Sequence, residues 1–193
     1  MLNLNLSDSE TLQEVQKLRA EMHRLEILRW KQDEVFTWQW WLLAALTVIP
    51  LILWWLAVDK KRAYEIAFYG SMIDLMALLL DNFGTNLLWW SYPIKLLPIL
   101  PPLITADSVL VPIFLMMVYQ YFSVTWKSHW IANLIAAAFL AFIAEPIFIW
   151  IGYYKLSGWM LVYSFLFYNA STTLAKLIIR GFARSAATPP EAR

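Results

Sequence analysis

Long apolar runs separated by short polar breaks are the main feature of the sequence. The first run, residues 38–58, holds no charged residue in 21 positions and has paired tryptophans near both ends, at Trp40-Trp41 and Trp54-Trp55. A helix of about 20 apolar residues crosses the hydrocarbon core of a membrane, and tryptophan is enriched at the level of the lipid headgroups. The run therefore predicts a membrane-spanning helix, which ends at a basic connection, 59–62.

Four more apolar runs predict four more spans, at residues 63–84, 103–124, 131–151 and 158–179. Residues 126–130 are expected to be a tight connection between the third and fourth spans. The longer connection 83–102 is rich in proline and tryptophan, and closely spaced prolines break helices, so we expect a loop or a short helix at the membrane surface. The predicted fold is an all-α integral membrane protein whose five transmembrane helices form a bundle, 38–180.

Five spans place the two termini on opposite sides of the membrane. Basic residues in short connections favour the cytoplasmic side, and seven of them, among them Lys60, Lys127 and Arg184, would share one side against five on the other. This indicates a multi-pass protein of the cytoplasmic membrane with its N-terminus outside and its C-terminus inside. The polar, proline-containing end, 181–193, is expected to be a disordered tail.

Residues 1–37 form a separate and more polar segment. Ser7 and Glu10 have the spacing of a helix capping box, and apolar residues then recur every three or four positions, at Val15, Leu18, Met22 and Leu25. The pattern predicts an amphipathic N-terminal helix. The helix either lies on the headgroups or on its own membrane domain, or it serves as a handle for self-association.

The amino-acid composition excludes several classes of protein. With 61% apolar and 15% charged residues, the chain is not an ordinary soluble domain. It contains no cysteine, which excludes disulfides, thiol nucleophiles and cysteine-ligated metals. The net charge of +1 argues against a nucleic-acid partner. Because glycine-rich phosphate loops and the common hydrolase motifs are missing, no cofactor is expected and nothing identifies an enzyme.

Acidic residues interrupt the apolar spans. In the second predicted span, small and acidic residues share one helical face because they follow one another at spacings of three and four: Ala63, Ala67, Gly70, Asp74, Ala77 and Asp81. A carboxylate in hydrocarbon costs about 3 kcal/mol on the insertion scale. This face must therefore meet protein, water or a cation.

Two further acidic residues stand in the next two spans. Asp107 and Glu145 are predicted to lie at a height similar to that of Asp81, with Asp74 nearer mid-depth. We predict that the four carboxyls form one ion or proton site, in which a shared proton or a bound cation relieves their repulsion. The alternative is that each carboxyl, neutral or paired with a lysine, tyrosine, asparagine or serine, only fixes helix packing.

The fifth span carries several polar residues, and the chain has two histidines. Asn169, Thr173 and Lys176 share one helical face, which either lines a polar groove or hydrogen-bonds neighbouring helices. His129 is interpreted as a solvated imidazole in an interfacial connection. Together with His23, on the N-terminal helix, it offers no zinc site. A carboxylate site for Ca²⁺ or Na⁺ has no spacing signature, so the sequence leaves a metal undetermined.

The polar and aromatic residues of the last four spans stand in a particular order: Asp74, a connection with Trp89, Pro93, Pro98 and Pro101, Asp107 before Pro112, Glu145, and Gly158-Trp159 before residues 164–169. This order resembles an uncharacterised family of small membrane proteins of endospore-forming Gram-positive bacteria. The resemblance covers residues 64–180 and implies no known activity. The long N-terminal helix departs from that family, as does the segment 170–172, where the family tends to have an aromatic residue and a proline.

These features predict ion- or proton-linked transport or channel activity through the acidic cluster. A first alternative is a non-catalytic membrane sensor or assembly component, which self-associates or binds a partner protein through residues 1–37. A second is an intramembrane enzyme that acts on a lipid, with one carboxyl as acid and another as base. The expected partners are the lipid bilayer and either a second copy of the chain or another protein.

Overall fold

The computed structural model of the chain describes residues 8–99 and 103–187. Seven α-helices make up most of it: α1 (Asp8–Arg29), α2 (Trp38–Ala57), α3 (Ala63–Asn86), α4 (Val111–Phe122), α5 (Trp126–Phe139), α6 (Glu145–Ile151) and α7 (Leu161–Ala187). Three short π-helical segments extend or join them: Trp30–Glu34, Thr105–Leu110 and Leu140–Ala144. Two strands of two residues, β1 (Trp90–Ser91) and β2 (Lys155–Leu156), complete the described elements.

Four helical segments are long and apolar enough to cross a membrane: Trp38–Ala57, Ala63–Asn86, Thr105–Phe122 and Trp126–Ile151. The prediction of a helical membrane protein with several spans is confirmed at this level. The last two segments include π-helical residues, which continue the helix without a break. The fifth predicted span corresponds to α7, which is 27 residues long but more polar than the others, so the count of five stays a prediction.

The N-terminal segment is helical from Asp8 to Arg29. The apolar positions predicted to form one face are between 40% and 63% exposed: Val15, Leu18, Met22 and Leu25. Its amphipathic role therefore stays a prediction. Ser7, the first residue of the expected capping box, lies outside the described residues.

Two predicted boundaries are wrong. Residues 126–130 are the first turn of α5 and not a connection, because Thr125 caps the helix: its Oγ1 accepts a hydrogen bond from the backbone N of Ser128 at 3.1 Å. At the other end of the chain, α7 continues to Ala187. The first seven residues of the expected tail are thus helical, and 188–193 lie outside the described residues.

The two connections on one side of the bundle pair with each other. β1, in the proline-rich connection after α3, and β2, in the connection after α6, are antiparallel, with Ser91 opposite Lys155. The backbone carbonyl of Trp89 also accepts hydrogen bonds from the backbone N of Ser157 at 2.8 Å and of Gly158 at 2.9 Å. We call these two connections, 87–99 and 152–160, the cap. As predicted, the described part of the proline-rich connection breaks the helix.

Residues of α1, of the segment after it and of α2 form hydrogen bonds with the cap. Glu34 is only 3% exposed, and its carboxylate accepts hydrogen bonds from Arg29 Nε and from the backbone N of Lys95, both at 2.8 Å. The indole Nε1 of Trp40 donates to the backbone carbonyl of Leu96 at 2.9 Å. The ammonium of Lys95 reaches back to Glu26 in α1, at 3.0 Å. The N-terminal segment and the cap are therefore one hydrogen-bonded unit.

Buried apolar side chains form two clusters. One lies among α3, α4 and α5 and includes Ile66, Tyr69, Ile73, Leu115 and Tyr119. The other joins cap residues to the adjoining helical segments and includes Leu43, Trp90, Tyr92, Leu103 and Tyr153. The candidate site adjoins this second cluster.

Candidate functional site

A cavity of about 110 Å³ lies beneath the cap, among α3, α6, α7 and the π-helical segment Thr105–Leu110. Three carboxyl groups line it, from Asp81, Asp107 and Glu145. Each comes from a different helical segment, since the spans alternate in direction and bring these positions to the same end of the bundle. The space is large enough for several water molecules or a small organic molecule.

Asp81 is buried, at 3% exposure. Its Oδ1 accepts hydrogen bonds from the indole Nε1 of Trp90 at 2.8 Å and from the hydroxyl of Tyr92 at 2.6 Å. Its Oδ2 is buried and has no hydrogen-bond partner among the described residues. Buried polar atoms are nearly always paired, so this oxygen requires a proton, a water molecule or a cation.

Glu145 is held by donors from α7. The hydroxyl of Tyr168 donates to its Oε1 at 2.8 Å and that of Ser164 donates to its Oε2 at 2.9 Å. Ser164 in turn accepts a hydrogen bond from the indole Nε1 of Trp159 at 2.9 Å. Such a chain of hydrogen bonds fixes the carboxyl in one orientation.

Asp107 shares with Asp81 a buried Oδ2 that has no hydrogen-bond partner among the described residues. It differs from the other two because none of the described side-chain hydrogen bonds reaches its carboxyl, whereas Asp81 and Glu145 each accept two. It lies in the π-helical segment Thr105–Leu110, and Glu145 directly follows another, Leu140–Ala144. π-Helical turns are rare and occur frequently at functional sites. Both carboxyls thus stand where the helix geometry departs from the regular one.

The rest of the lining is largely aromatic. Rings from the cap, α6 and α7 contribute: Trp90, Tyr92, Phe148, Tyr154, Trp159, Phe167 and Tyr168. Tyr92 stacks on Tyr154 with 5.5 Å between ring centroids, and Trp90 meets Trp159 edge-on at 5.0 Å. Burial, together with the nearby carboxyls, raises the pKa of both Tyr92 and Tyr154. Both therefore stay neutral phenols that can donate hydrogen bonds.

Comparisons with known proteins return no match. No family model matches the sequence, and neither a curated protein nor a solved structure is similar to it. The functional argument therefore rests on the cavity itself, and the resemblance to the family of small membrane proteins stays a proposal.

Basic residues are missing from the cavity, as far as the described residues show: its lining contains no lysine, arginine or histidine. A contrast is found at the other end of the bundle, where Glu65 accepts hydrogen bonds from Arg62 at 2.9 Å and from the hydroxyl of Tyr119 at 2.7 Å. Glu65 is neutralised by its own cation. None of the ion pairs among the described residues involves Asp81, Asp107 or Glu145.

Four residues predicted for the site do not line the cavity. Asp74 does not line it, although its Oδ1 is buried without a hydrogen-bond partner among the described residues. The expected polar lining by Asn169, Thr173 and Lys176 is not found either. The cavity meets α7 near Ser164, and Lys176 stands about 18 Å further along that helix at 1.5 Å per residue. There it donates to a backbone carbonyl at 3.0 Å.

The prediction of a solvated His129 is wrong. Because α5 begins at Trp126, His129 lies one turn inside the helix and is 1% exposed. Its ring packs against Tyr69 and Tyr119, and neither nitrogen has a hydrogen-bond partner among the described residues. The described part of the chain also contains no group of three histidine or acidic side chains that could hold a metal ion.

The donors that hold the carboxyls are functional residues that the sequence did not assign. Trp90 and Tyr92 follow Asp81 by nine and eleven residues and lie outside the span. Helical spacing does not relate them to Asp81, since the chain turns back between them. A usable signal is that tryptophan and tyrosine, which carry hydrogen-bond donors, are concentrated in the two connections at the acidic end of the bundle.

Proposed function

We propose that the protein binds a cation in the acidic cavity as part of ion- or proton-linked transport across the membrane. One observation carries this proposal: three carboxyls from three helical segments share a cavity whose described lining has no basic residue. Ionisable residues inside membrane bundles commonly mark ion pathways or proton relays.

The charge balance of the cavity supports this function. Asp81 and Glu145 receive hydrogen bonds from neutral donors only, and these donors do not cancel a negative charge. The cavity therefore binds either protons or a cation. Exchange of a bound proton for a cation then couples the movement of the two ions. Asp107, whose carboxyl accepts none of the described side-chain hydrogen bonds and whose Oδ2 is buried, is the carboxyl that we assign to proton exchange.

The surroundings of the cavity define the two barriers that transport must open. On one side the cap lies over the cavity, with Trp90 and Tyr92 forming part of the wall. On the other side the cluster that includes Tyr69, Leu115 and Tyr119 fills the bundle. Alternate opening of the two barriers would expose the same site to either side of the membrane.

Flux through reconstituted vesicles tests the proposal. Purified protein is placed in vesicles with an internal pH-sensitive dye, and gradients of Na⁺, K⁺ or an organic ammonium ion are imposed in either direction. We expect proton-coupled flux by the wild type and a loss of at least about tenfold in Asp81→Asn and Glu145→Gln, because both changes remove a negative charge. Asp33→Asn, which removes an exposed carboxylate outside the spans, should transport as the wild type does. Absence of wild-type flux, or equal flux in Asp81→Asn, would refute the proposal.

A second candidate function is assembly through α1. The observation in its favour is the exposure of Leu18, Met22 and Leu25, at 54% or more, on a helix outside the four candidate spans. Self-association would bury these side chains. Light scattering in detergent tests it: Leu18→Ser with Leu25→Ser should lower the molar mass of the particle if α1 joins copies of the chain, and an unchanged mass excludes that role.

A further inference from the structure

We infer, on the basis of the cation binding proposed above, that the ligand of the acidic cavity is an organic ammonium ion. The carboxylate of Asp81 supplies the negative charge and the aromatic rings beside it supply the contact surface. The chemical class is a small aliphatic amine, either protonated or quaternary.

The arrangement of the carboxyls is unfavourable for a bare metal ion. Ca²⁺ takes six to eight oxygen ligands at about 2.3–2.6 Å, yet within the described residues no three acidic or histidine side chains are placed to share one ion. Both oxygens of Glu145 already accept hydrogen bonds, from Tyr168 and Ser164. An ammonium ion needs only one or two carboxylates at longer range.

The aromatic lining suits an ammonium ion. A cation within about 6 Å of the centre of an indole or phenol ring is attracted by the negative face of the ring, and quaternary ammonium ions are recognised in this way. The rings are fixed before any ligand arrives: Trp90 and Tyr92 donate to Asp81, and Trp159 donates to Ser164. Fixed rings reduce the entropy lost on binding.

The size and the remaining lining of the cavity point to the same class. A volume of about 110 Å³ is more than a single dehydrated alkali ion fills. Between the carboxyls and the rings the wall is aliphatic, with Leu80, Leu103 and Leu110 among its side chains. Such a wall contacts methyl and methylene groups, whereas it offers no ligand to Na⁺ or K⁺.

Calorimetric titration of the full-length protein in detergent tests the inference, with tetramethylammonium as the probe. Choline and 3,3-dimethyl-1-butanol, which have the same shape and differ in charge, form a second pair of probes. We expect tetramethylammonium and choline to bind and the uncharged alcohol not to bind. Asp81→Asn keeps the shape of the side chain and should weaken binding by at least about tenfold, since it removes the charge.

The contribution of the rings is measured by a pair of variants at Tyr154. Tyr154→Leu should bind tetramethylammonium about two- to thirtyfold more weakly than Tyr154→Phe, because only the second keeps an aromatic face. Asp33→Asn and Tyr64→Leu are the controls, since Asp33 is exposed and Tyr64 is 95% exposed. Both should bind as the wild type does, and size-exclusion profiles check that every variant is folded.

The outcomes separate this inference from the proposed transport. Proton flux that depends on Asp81, without binding of tetramethylammonium, keeps the transport function and overturns the ammonium ligand. Binding that depends on Asp81 without any flux keeps the ligand and overturns transport. Equal binding of choline and its uncharged analogue, or binding unaffected by Asp81→Asn, also overturns the inference.

Discussion

Gly84, near the end of α3, lets the indole of Trp90 pack directly on the helix backbone. A Cβ atom at this position would overlap the indole ring, and the ring cannot move away without losing its hydrogen bond to Asp81. We expect Gly84→Ala to lower the free energy of unfolding by about 1–3 kcal/mol, the usual cost of overpacking. Thermal unfolding in detergent measures the change.

A matched control is available in α7. A Cβ atom at Gly181 would meet no atom within 4 Å, so Gly181→Ala should be neutral or stabilising by up to about 1 kcal/mol, because alanine is the better helix former. If Gly84→Ala and Gly181→Ala lose stability equally, the packing of Trp90 on the helix backbone is not the reason that position 84 requires glycine.

The sequence predicts the position of some residues of the site but not of others. Asp81, Asp107 and Glu145 were assigned to one end of the bundle, because position along a helical span gives depth. Trp90 and Tyr92 were not assigned to Asp81, because their contact depends on how the chain turns after α3. The sequence misplaces His129 for a local reason: the polar stretch 126–130 resembles a connection, but Thr125 caps α5 and makes this stretch the first turn of the helix.

The pairing of β1 with β2 joins two connections that are more than 60 residues apart in the sequence. Ser91 and Lys155 lie directly opposite each other, at a separation that a disulfide can bridge. Because the chain has no cysteine of its own, the double variant Ser91→Cys with Lys155→Cys should form one intramolecular disulfide under mild oxidation. Mass spectrometry of the peptides identifies the bond.

The control moves one cysteine along the same connection. Ser91→Cys with Ser157→Cys places the thiols on diagonal positions, about 7–8 Å apart in an antiparallel pair, which is beyond the usual reach of a disulfide. Comparable yields from the two double variants would show that the register of the strands is not the one described.

The elements were predictable to different degrees for physical reasons. Long apolar runs specify spanning helices because the membrane requires about 20 apolar residues, and the first four spans were found in this way. Strands of two residues and π-helical turns have no periodic pattern of their own. Their positions follow from contacts between distant segments, so β1, β2 and the segment Thr105–Leu110 appear only in the folded chain.

For the whole molecule, the number of spans decides where the termini lie. If α7 crosses the membrane as a fifth span, the termini are on opposite sides, and the distribution of basic residues places the N-terminus outside. We expect Gln13→Cys to react with a membrane-impermeant maleimide on intact cells, and Ser185→Cys to react only after the cells are lysed. Labelling followed by a gel shift measures both.

A different labelling pattern would change the predicted topology. Labelling of both positions from the same side would mean an even number of crossings, with α7 lying along the membrane or within the bundle without crossing it. Detergent-treated cells, in which both cysteines should react, confirm that each position is accessible to the reagent.

The hydrogen bonds between Glu26 and Lys95 and between Arg29 and Pro93, where Lys95 and Pro93 lie in the proline-rich connection, have a consequence for regulation. They connect α1, which lies outside the candidate spans, to the cap above the cavity. A molecule that binds α1 in only one position of the cap will change the affinity of the cavity for its ligand. Thermodynamic linkage then requires the occupied cavity to change the affinity of α1 for that molecule by the same factor. Binding at α1 and binding in the cavity are thus coupled, so that neither can change without affecting the other.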